Sequence, residues 1–277
     1  MRIPHQSIIK AGVYALLIVL SCLFIAPFLW LVSTSLKPDK QILVFPPVWI
    51  PNPIRIENYI EGLTQIPFGL YLFNTLFICV FSVIGTVWSA SMVAYGLSRI
   101  PWRGREWLFY AIVGTMLLPP QVTMVPVFSI FKTLGWLDTY WPLIFPHFLG
   151  GAFNVFLLRQ FFRSIPKELT ESARLDGASE WDNYRLIVLP LAKPALWTVG
   201  LFAFIGSWND YLGPLIYLFD DRKYTLSLGL AMFRSQYSAQ WGPMMAVSTV
   251  VTVPLIILFF FTQRSFVKGI TMTGMKG

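Results

Sequence analysis

Long runs of apolar residues without a charged side chain divide this sequence. Five such runs cover 11–36, 62–98, 107–131, 139–158 and 235–263, and a sixth, 194–219, is apolar except for Asp210. A helix needs about 20 mostly apolar residues to cross a bilayer, because each segment must satisfy its own backbone hydrogen bonds. The pattern therefore predicts six transmembrane helices, at about 9–34, 69–97, 107–131, 140–162, 194–218 and 243–263.

Composition supports a membrane protein without reference to any motif. Of 277 residues, 56% are hydrophobic and 12% are charged, whereas a soluble domain carries about a quarter charged residues. The first apolar run is too long for a signal peptide, so we expect it to be retained as a span. We predict an all-α integral membrane protein in which 1–277 form a single transmembrane permease domain.

The distribution of basic residues predicts the orientation in the membrane. With a cytoplasmic N-terminus, 14 of the 21 Lys and Arg residues fall in cytoplasmic segments. Basic residues resist translocation, so this bias is the expected one, and both termini are predicted to be cytoplasmic. The net charge of +8 is then explained without nucleic-acid binding. Cys22 and Cys79 lie in apolar runs and are interpreted as small hydrophobic residues rather than a disulfide.

The predicted cytoplasmic loop 163–193 has the most specific pattern in the chain. Pro166 suits a helix start, and Gly177 suits the left-handed residue that follows a helix end. Ser179 and Asp182 match a capping box that opens a second short helix. Leu189-Pro190 are expected to end that helix. We call this predicted helix–glycine–helix segment, residues 166–190, the elbow; by patterning alone, it could equally be an interfacial amphipathic helix.

The elbow resembles the cytoplasmic loop of ABC importer permeases. The matching positions are Glu171-Ser172-Ala173, Gly177, Ile187 and Leu189-Pro190, and the likeness extends over Leu175-Asp176-Gly177-Ala178. Ser172 stands where that family usually has Ala, a small residue for a small residue. The stretches 207–215 and 263–277 are similar to the carbohydrate-importing, maltose-type branch of the family. The resemblance implies the type I permease fold of ABC importers, with six transmembrane helices.

The same resemblance implies a function. The chain would form half of the translocation pathway for a sugar or related polar solute, and it would not be an enzyme. It has no G-x-x-x-x-G-K-[ST] loop, so partner subunits would bind and hydrolyse ATP, and no cofactor or metal is expected here. The elbow would contact the ATPase through these residues: Glu171, Ser172, Ala173, Asp176, Gly177, Ala178, Leu189 and Pro190.

The implied partners are a second homologous permease subunit, two copies of an ATP-binding cassette ATPase and an extracytoplasmic solute-binding protein. The implied location is a bacterial or archaeal plasma membrane. The outer loop 219–242 could meet the binding protein or could simply be solvated, through Asp220, Asp221, Arg222, Lys223, Gln236, Tyr237 and Gln240. The tail 264–277 is expected to be poorly helical, and it either frays or reaches the ATPase. The proline-rich outer loop 37–67 predicts an extended cap.

Span five contains the candidate substrate path. Asp210 is the lone charge inside a predicted span, which makes it a functional candidate. Its neighbours Trp208, Asn209 and Tyr211 offer rings and an amide that suit a polyol, although gating or subunit packing would explain them as well. His147 is interpreted as a buried, hydrogen-bonded residue rather than a ligand.

Two other classes of protein fit the sequence less well. A secondary transporter driven by an ion gradient typically shows internal repeats and several intramembrane carboxylates, and only one such carboxylate occurs here. A membrane-embedded enzyme would need a motif such as H-E-x-x-H or G-x-S-x-G, and neither is present.

Overall fold

The computed structural model describes residues 5–235 and 240–273, and within these ranges all regular elements are helical. Among the described residues, four helices are long and apolar enough to cross a membrane. They cover Ile9–Ser35, Phe68–Ser98, Trp141–Ser164 and Trp241–Thr262. Each overlaps a predicted span, and Trp141–Ser164 contains a break at Gly150-Gly151.

Two further apolar segments consist of a bent pair of helices. Residues Arg105–Leu117 and Pro120–Thr133 meet at 101°, and Glu180–Leu191 and Lys193–Trp208 meet at 79°. Counting each pair as one span brings the number to six. The prediction of one continuous helix over 107–131 is wrong, because Pro119-Pro120 interrupt it. Proline lacks a backbone N–H and disfavours helical backbone in the residue before it.

We number the helices along the chain. They are α1 His5–Ser35, α2 Glu57–Gln65, α3 Phe68–Ser98, α4 Arg105–Gly114, α5 Pro120–Thr133, α6 Trp141–Ile144, α7 Ala152–Ser164, α8 Lys167–Leu175, α9 Glu180–Leu191, α10 Lys193–Trp208, α11 Leu212–Tyr217, α12 Leu226–Ser235 and α13 Trp241–Thr273. The chain divides into two compact units, 1–68 with 229–254 and 69–228 with 255–277. That residues 1–277 form a single transmembrane permease domain stays a prediction.

The first unit corrects the expectation for the loop 37–67, which contains the helix α2. Asn58 anchors α2, because its buried amide donates to the carbonyl oxygens of Ser35 and Lys37, each at 2.9 Å. Lys37 is fully buried, with its ammonium 3.7 Å from the ring centroid of Trp30. These contacts connect α2 to the end of α1. The prediction of an extended cap rested on local proline content, which carries no information about such contacts.

The second unit has its main apolar core around α3, α7, α9 and α10. Its fully buried members include Ala90, Val155, Leu158, Val188 and Val199. Small residues on α3 let neighbouring chain segments approach closely, as Ser89 shows by donating to the carbonyl of His147 at 3.0 Å. His147 itself is hydrogen bonded, with its Nδ1 3.1 Å from the hydroxyl of Thr86. The interpretation of His147 as a hydrogen-bonded residue is thus confirmed, and its side chain is partly rather than fully buried.

The structure corrects two further predictions, which concern the C-terminal tail and the outer loop 219–242. Helix α13 continues to Thr273, so the tail is helical beyond the predicted end of span six, and 274–277 lie outside the described residues. Gly269 costs only about 1 kcal/mol of helix stability relative to Ala, which a long helix tolerates. In the outer loop 219–242, Leu226–Ser235 form the helix α12 rather than a solvated loop. Gln236 and Tyr237 lie outside the described residues.

Candidate functional site

The elbow has the predicted backbone from Lys167 to Asp182. Helix α8 ends at Leu175, and Gly177 follows in the left-handed region with φ +89°. The amide of Ala178 then donates to the carbonyl of Ala173 at 2.9 Å, which closes the helix end. The side chains of Ser179 and Asp182 each accept from the other's backbone N–H, so the predicted capping box is confirmed.

The second helix of the elbow runs further than expected. Leu189-Pro190 do not end it, because α9 continues to Leu191. Residues Asn183–Val188 form a π-helical turn immediately before this proline. In an α-helix the Pro190 ring would clash with the carbonyl four residues earlier, and the wider turn accommodates it. The chain then bends by 79° into α10.

Side chains connect the elbow to α3 within the second unit. The Glu180 carboxylate accepts from the Arg174 guanidinium and from the Tyr95 hydroxyl, both at 2.7 Å. The hydrogen bond to Glu180 raises the pKa of Arg174. The Tyr184 and Ser91 hydroxyls are 2.8 Å apart, and the rings of Tyr95 and Tyr184 meet edge to face. These contacts hold α8, α9 and α3 together at one point.

The elbow exposes most of the residues predicted to contact an ATPase. Glu171, Ser172, Asp176, Gly177 and Pro190 are exposed. Three others are partly buried: Ala173, Ala178 and Leu189.

The exposed face also includes large apolar side chains that sequence reasoning did not single out. Leu175 is 90% exposed, and Trp181 and Leu186 are 54% and 66% exposed. The available signal for Leu175 was an apolar residue in the last turn of α8, a helix whose other residues are mostly polar.

Span five breaks at the stretch proposed for the substrate path. Helix α10 ends at Trp208, and α11 begins at Leu212. Asp210 lies in the break, where its carboxylate accepts from the amide of Gly213 at 3.0 Å. Its backbone carbonyl accepts from the Ser227 hydroxyl at 2.5 Å. Asp210 therefore stabilises the start of α11, a local task that the sequence did not predict.

The four candidate path residues do not share one environment. Trp208 is 3% exposed and stacks on Phe204 at 5.4 Å between ring centroids. Tyr211 and Asn209 are exposed, and the Asn209 amide donates to the carbonyl of Ile205 at 2.9 Å. Asn209 and Tyr211 are thus the two exposed members of the set, whereas Trp208 is buried and Asp210 is partly buried at the break.

An apolar groove of about 580 Å³ joins the elbow to span five. The elbow contributes Tyr184 and Leu189, and span five contributes Lys193, Gly200 and Phe204. Opposite them, α3 provides an apolar wall that includes Val83, Val87 and Trp88. The elbow and span five therefore share one surface, and Val188 and Val199 also belong to one buried apolar cluster.

On the predicted outer side of the second unit, Asp138 binds the segment 219–223 through an ion pair and hydrogen bonds. The Lys223 ammonium lies 2.6 Å from the carboxylate of Asp138, which also accepts from the amides of Phe219 and Asp220 at 3.0 Å. A side-chain hydrogen bond from Arg222, with the Arg222 amide, lowers the pKa of Asp220 to about 2. The segment after α11 is therefore fixed to the turn before α6.

Comparison with known proteins identifies the family. The family described as "Binding-protein-dependent transport system inner membrane component" matches residues 87–272. The trehalose/maltose transport system permease protein MalG of Thermococcus litoralis is 33% identical, over 95% of each chain. The arabinooligosaccharides transport system permease protein AraQ of Bacillus subtilis is 32% identical, over 99% of this chain and 98% of the other.

A solved structure has the same fold. A subunit of a bacterial ABC transporter involved in the import of the acidic polysaccharide alginate superposes with a TM-score of 0.78. It is 26% identical, and the alignment covers 95% of this chain and 98% of that one. Together with the apolar helices, these matches show that the chain is a multi-pass membrane protein that belongs to the family of binding-protein-dependent transport system inner membrane components.

Proposed function

We propose that this chain is the permease subunit of an ATP-driven carbohydrate importer and forms half of its translocation pathway. Six spans with both termini in the cytoplasm would place the elbow on the same side as ATP. The second permease would be a homologue of this chain. Two ATPase subunits would supply the energy, and an extracytoplasmic binding protein would deliver the solute.

The elbow is the observation that carries this proposal. It exposes Glu171 and Leu175 beside a glycine turn, while Glu180 holds it rigidly against α3. A surface that is exposed and firmly connected to the bundle is suited to receive a force from another subunit. The shared groove of Leu189 and Phe204 would pass that movement to span five.

Carbohydrate is the proposed solute class because the named relatives carry saccharides. MalG is named for trehalose and maltose, and AraQ for arabinooligosaccharides. Asn209 and Tyr211 are exposed at the break of span five. An amide satisfies sugar hydroxyls, and an aromatic ring packs on the apolar face of a sugar ring. These two residues are therefore the proposed contacts on this chain.

Reconstituted vesicles test the proposed dependence on an ATPase. We expect vesicles that contain this chain alone to show neither uptake nor ATP hydrolysis, because the sequence has no phosphate-binding loop. Adding the partner permease, the ATPase and the binding protein should produce ATP-dependent uptake of a labelled maltooligosaccharide or arabinooligosaccharide. Uptake by the chain alone under a proton or sodium gradient would instead identify an ion-driven secondary transporter.

A further inference from the structure

A small polar cleft in the second unit is rich in basic side chains. Its volume is about 160 Å³, and it lies where the end of α3, the start of α4, the end of α7 and the start of α8 meet. Five basic residues and one acidic residue line it: Arg99, Arg105, Arg159, Arg163, Lys167 and Glu106. This excess of positive charge points to an anionic ligand.

The single carboxylate of the cleft is already engaged. Glu106 accepts from Arg159 at 2.6 Å and lies 3.5 Å from Arg105. Arg163 and Lys167 are exposed and form no ion pair within the described part of the chain, although Arg163 is close enough to Glu106 to act on it electrostatically. Glu168 on α8 is close enough to act on Arg99 electrostatically, but it does not line the cleft. Two cations therefore remain available to an anion from outside this chain.

Arg99 provides an independent indication of a ligand. It is 7% exposed, and one terminal nitrogen donates to the carbonyls of Phe162 and Ile165, each at 2.5 Å. Its Nε is buried and has no partner among the described residues. A buried donor left without a partner is costly, so this nitrogen calls for an acceptor that the described residues do not supply. Arg99 lines the cleft, and the terminal nitrogen that donates to Phe162 and Ile165 holds its side chain in place.

The surroundings of the cleft indicate the source of the anion. Arg99 directly follows the last residue of α3, and Arg105 begins α4, so the cleft lies at the level of span ends. Exposed rings flank these ends, with Trp102 at 42% and Trp107 at 76% exposure. Tryptophan rings favour the headgroup region of a bilayer. Guanidinium groups bind phosphate through several parallel hydrogen bonds.

We propose that this cleft binds the phosphate of an anionic phospholipid, whose acyl chains lie beside Trp102 and Trp107. Basic pockets between spans on the cytoplasmic side are known sites for anionic headgroups. Only the assignment to the cytoplasmic leaflet rests on the proposed orientation. Free phosphate would use the same donors, but it would gain nothing from the neighbouring apolar rings.

Lipid binding to the purified full chain tests the proposal without any transport measurement. Native mass spectrometry would compare dioleoyl phosphatidylglycerol, dioleoyl phosphatidylcholine and inorganic phosphate. The cleft variant is Arg163→Gln with Lys167→Gln, two exposed residues whose change leaves the buried arginines in place. The matched control is Arg103→Gln with Arg185→Gln, which removes the same charge from exposed positions outside the cleft.

We expect the wild-type chain to prefer phosphatidylglycerol to phosphatidylcholine. The cleft variant should bind phosphatidylglycerol at least about tenfold more weakly, because it removes two donors of charge-assisted hydrogen bonds to the phosphate, each worth about 1.5–3 kcal/mol, and 1.4 kcal/mol is tenfold. The control variant should match the wild type, and equimolar inorganic phosphate should not displace the lipid.

Three outcomes would overturn the proposal. Equal phosphatidylglycerol affinity in the cleft and control variants would exclude the cleft as the lipid site. Displacement by equimolar inorganic phosphate would assign the cleft to free phosphate. Equal binding of phosphatidylglycerol and phosphatidylcholine by the wild-type chain would exclude recognition of an anionic headgroup. Each result is readable whether or not the chain imports carbohydrate.

Discussion

Gly177 determines the shape of the elbow through its backbone alone. Its φ of +89° lies in the left-handed region, and a Cβ added there would have no heavy atom within 4 Å. Any effect of substitution is therefore conformational rather than steric. A left-handed backbone costs most residues roughly 1–2 kcal/mol, and least for Asn among the non-glycine residues.

The difference between Asn and other non-glycine residues in this region of φ allows a prediction for Gly177. Gly177→Val should lower co-purification of the ATPase severalfold, because the β-branched side chain disfavours the turn that α8 needs. Gly177→Asn should retain most of the co-purification, because Asn tolerates a positive φ. Affinity capture of the assembled complex measures both. If Val and Asn behave alike, the turn is not what the ATPase contacts.

At the scale of single helices, the broken span five is the most distinctive element. Its second helix, α11, starts where Asp210 accepts from the amide of Gly213. A Cβ on Gly213 would overlap the Asp210 carboxylate and lie 2.8 Å from a methyl group of Leu143. Gly206, seven positions earlier in the same span, has open space around its Cβ position. The two glycines therefore form a matched pair.

We expect Gly213→Ala to destabilise the solubilised protein by about 1–3 kcal/mol, because it forces atoms into an occupied space. Gly206→Ala should be neutral or stabilising by up to about 1 kcal/mol, since Ala is the better helix former. Thermal unfolding in detergent, followed by circular dichroism, measures both variants. Equal transition midpoints would contradict the tight packing at the break.

On the scale of the whole molecule, the question is how a force on the elbow would reach the solute path. Glu180 is central, because it accepts from Arg174 on α8 and Tyr95 on α3 at once. Glu171, in contrast, is exposed and belongs to the proposed ATPase contact. Under the proposed function, Glu180 would therefore transmit a movement to α3, whereas Glu171 would bind the ATPase subunit.

Glu180→Gln should leave the ATPase bound and active but lower the amount of solute imported per ATP severalfold. The amide keeps the shape of the side chain and removes the charge that orders Arg174. Glu171→Gln should mainly weaken ATPase binding. Uptake and ATP hydrolysis measured in the same vesicles distinguish the two. An unchanged ratio of uptake to hydrolysis in Glu180→Gln would show that this connection transmits nothing.

Local chemistry was enough for several features of this protein. The charge-free runs located the apolar helices, since a bilayer demands a continuous apolar length. The left-handed Gly177 and the Ser179–Asp182 capping box followed from short-range backbone requirements.

Features that depend on residues far apart in the chain could not be predicted from the sequence. Helix α2 required the buried Asn58 and its bonds to the end of α1, and α9 continued through Pro190 because a π-helical turn preceded it. The basic cleft around Arg99 arises only when separate helices meet. The amino-acid sequence by itself determined the membrane class, the apolar segments and the elbow's turn, because these depend on hydrophobic length and local backbone preference. Tertiary structure alone decided which polar side chains support the fold and which remain open to ligands, because that depends on contacts between residues far apart in the chain.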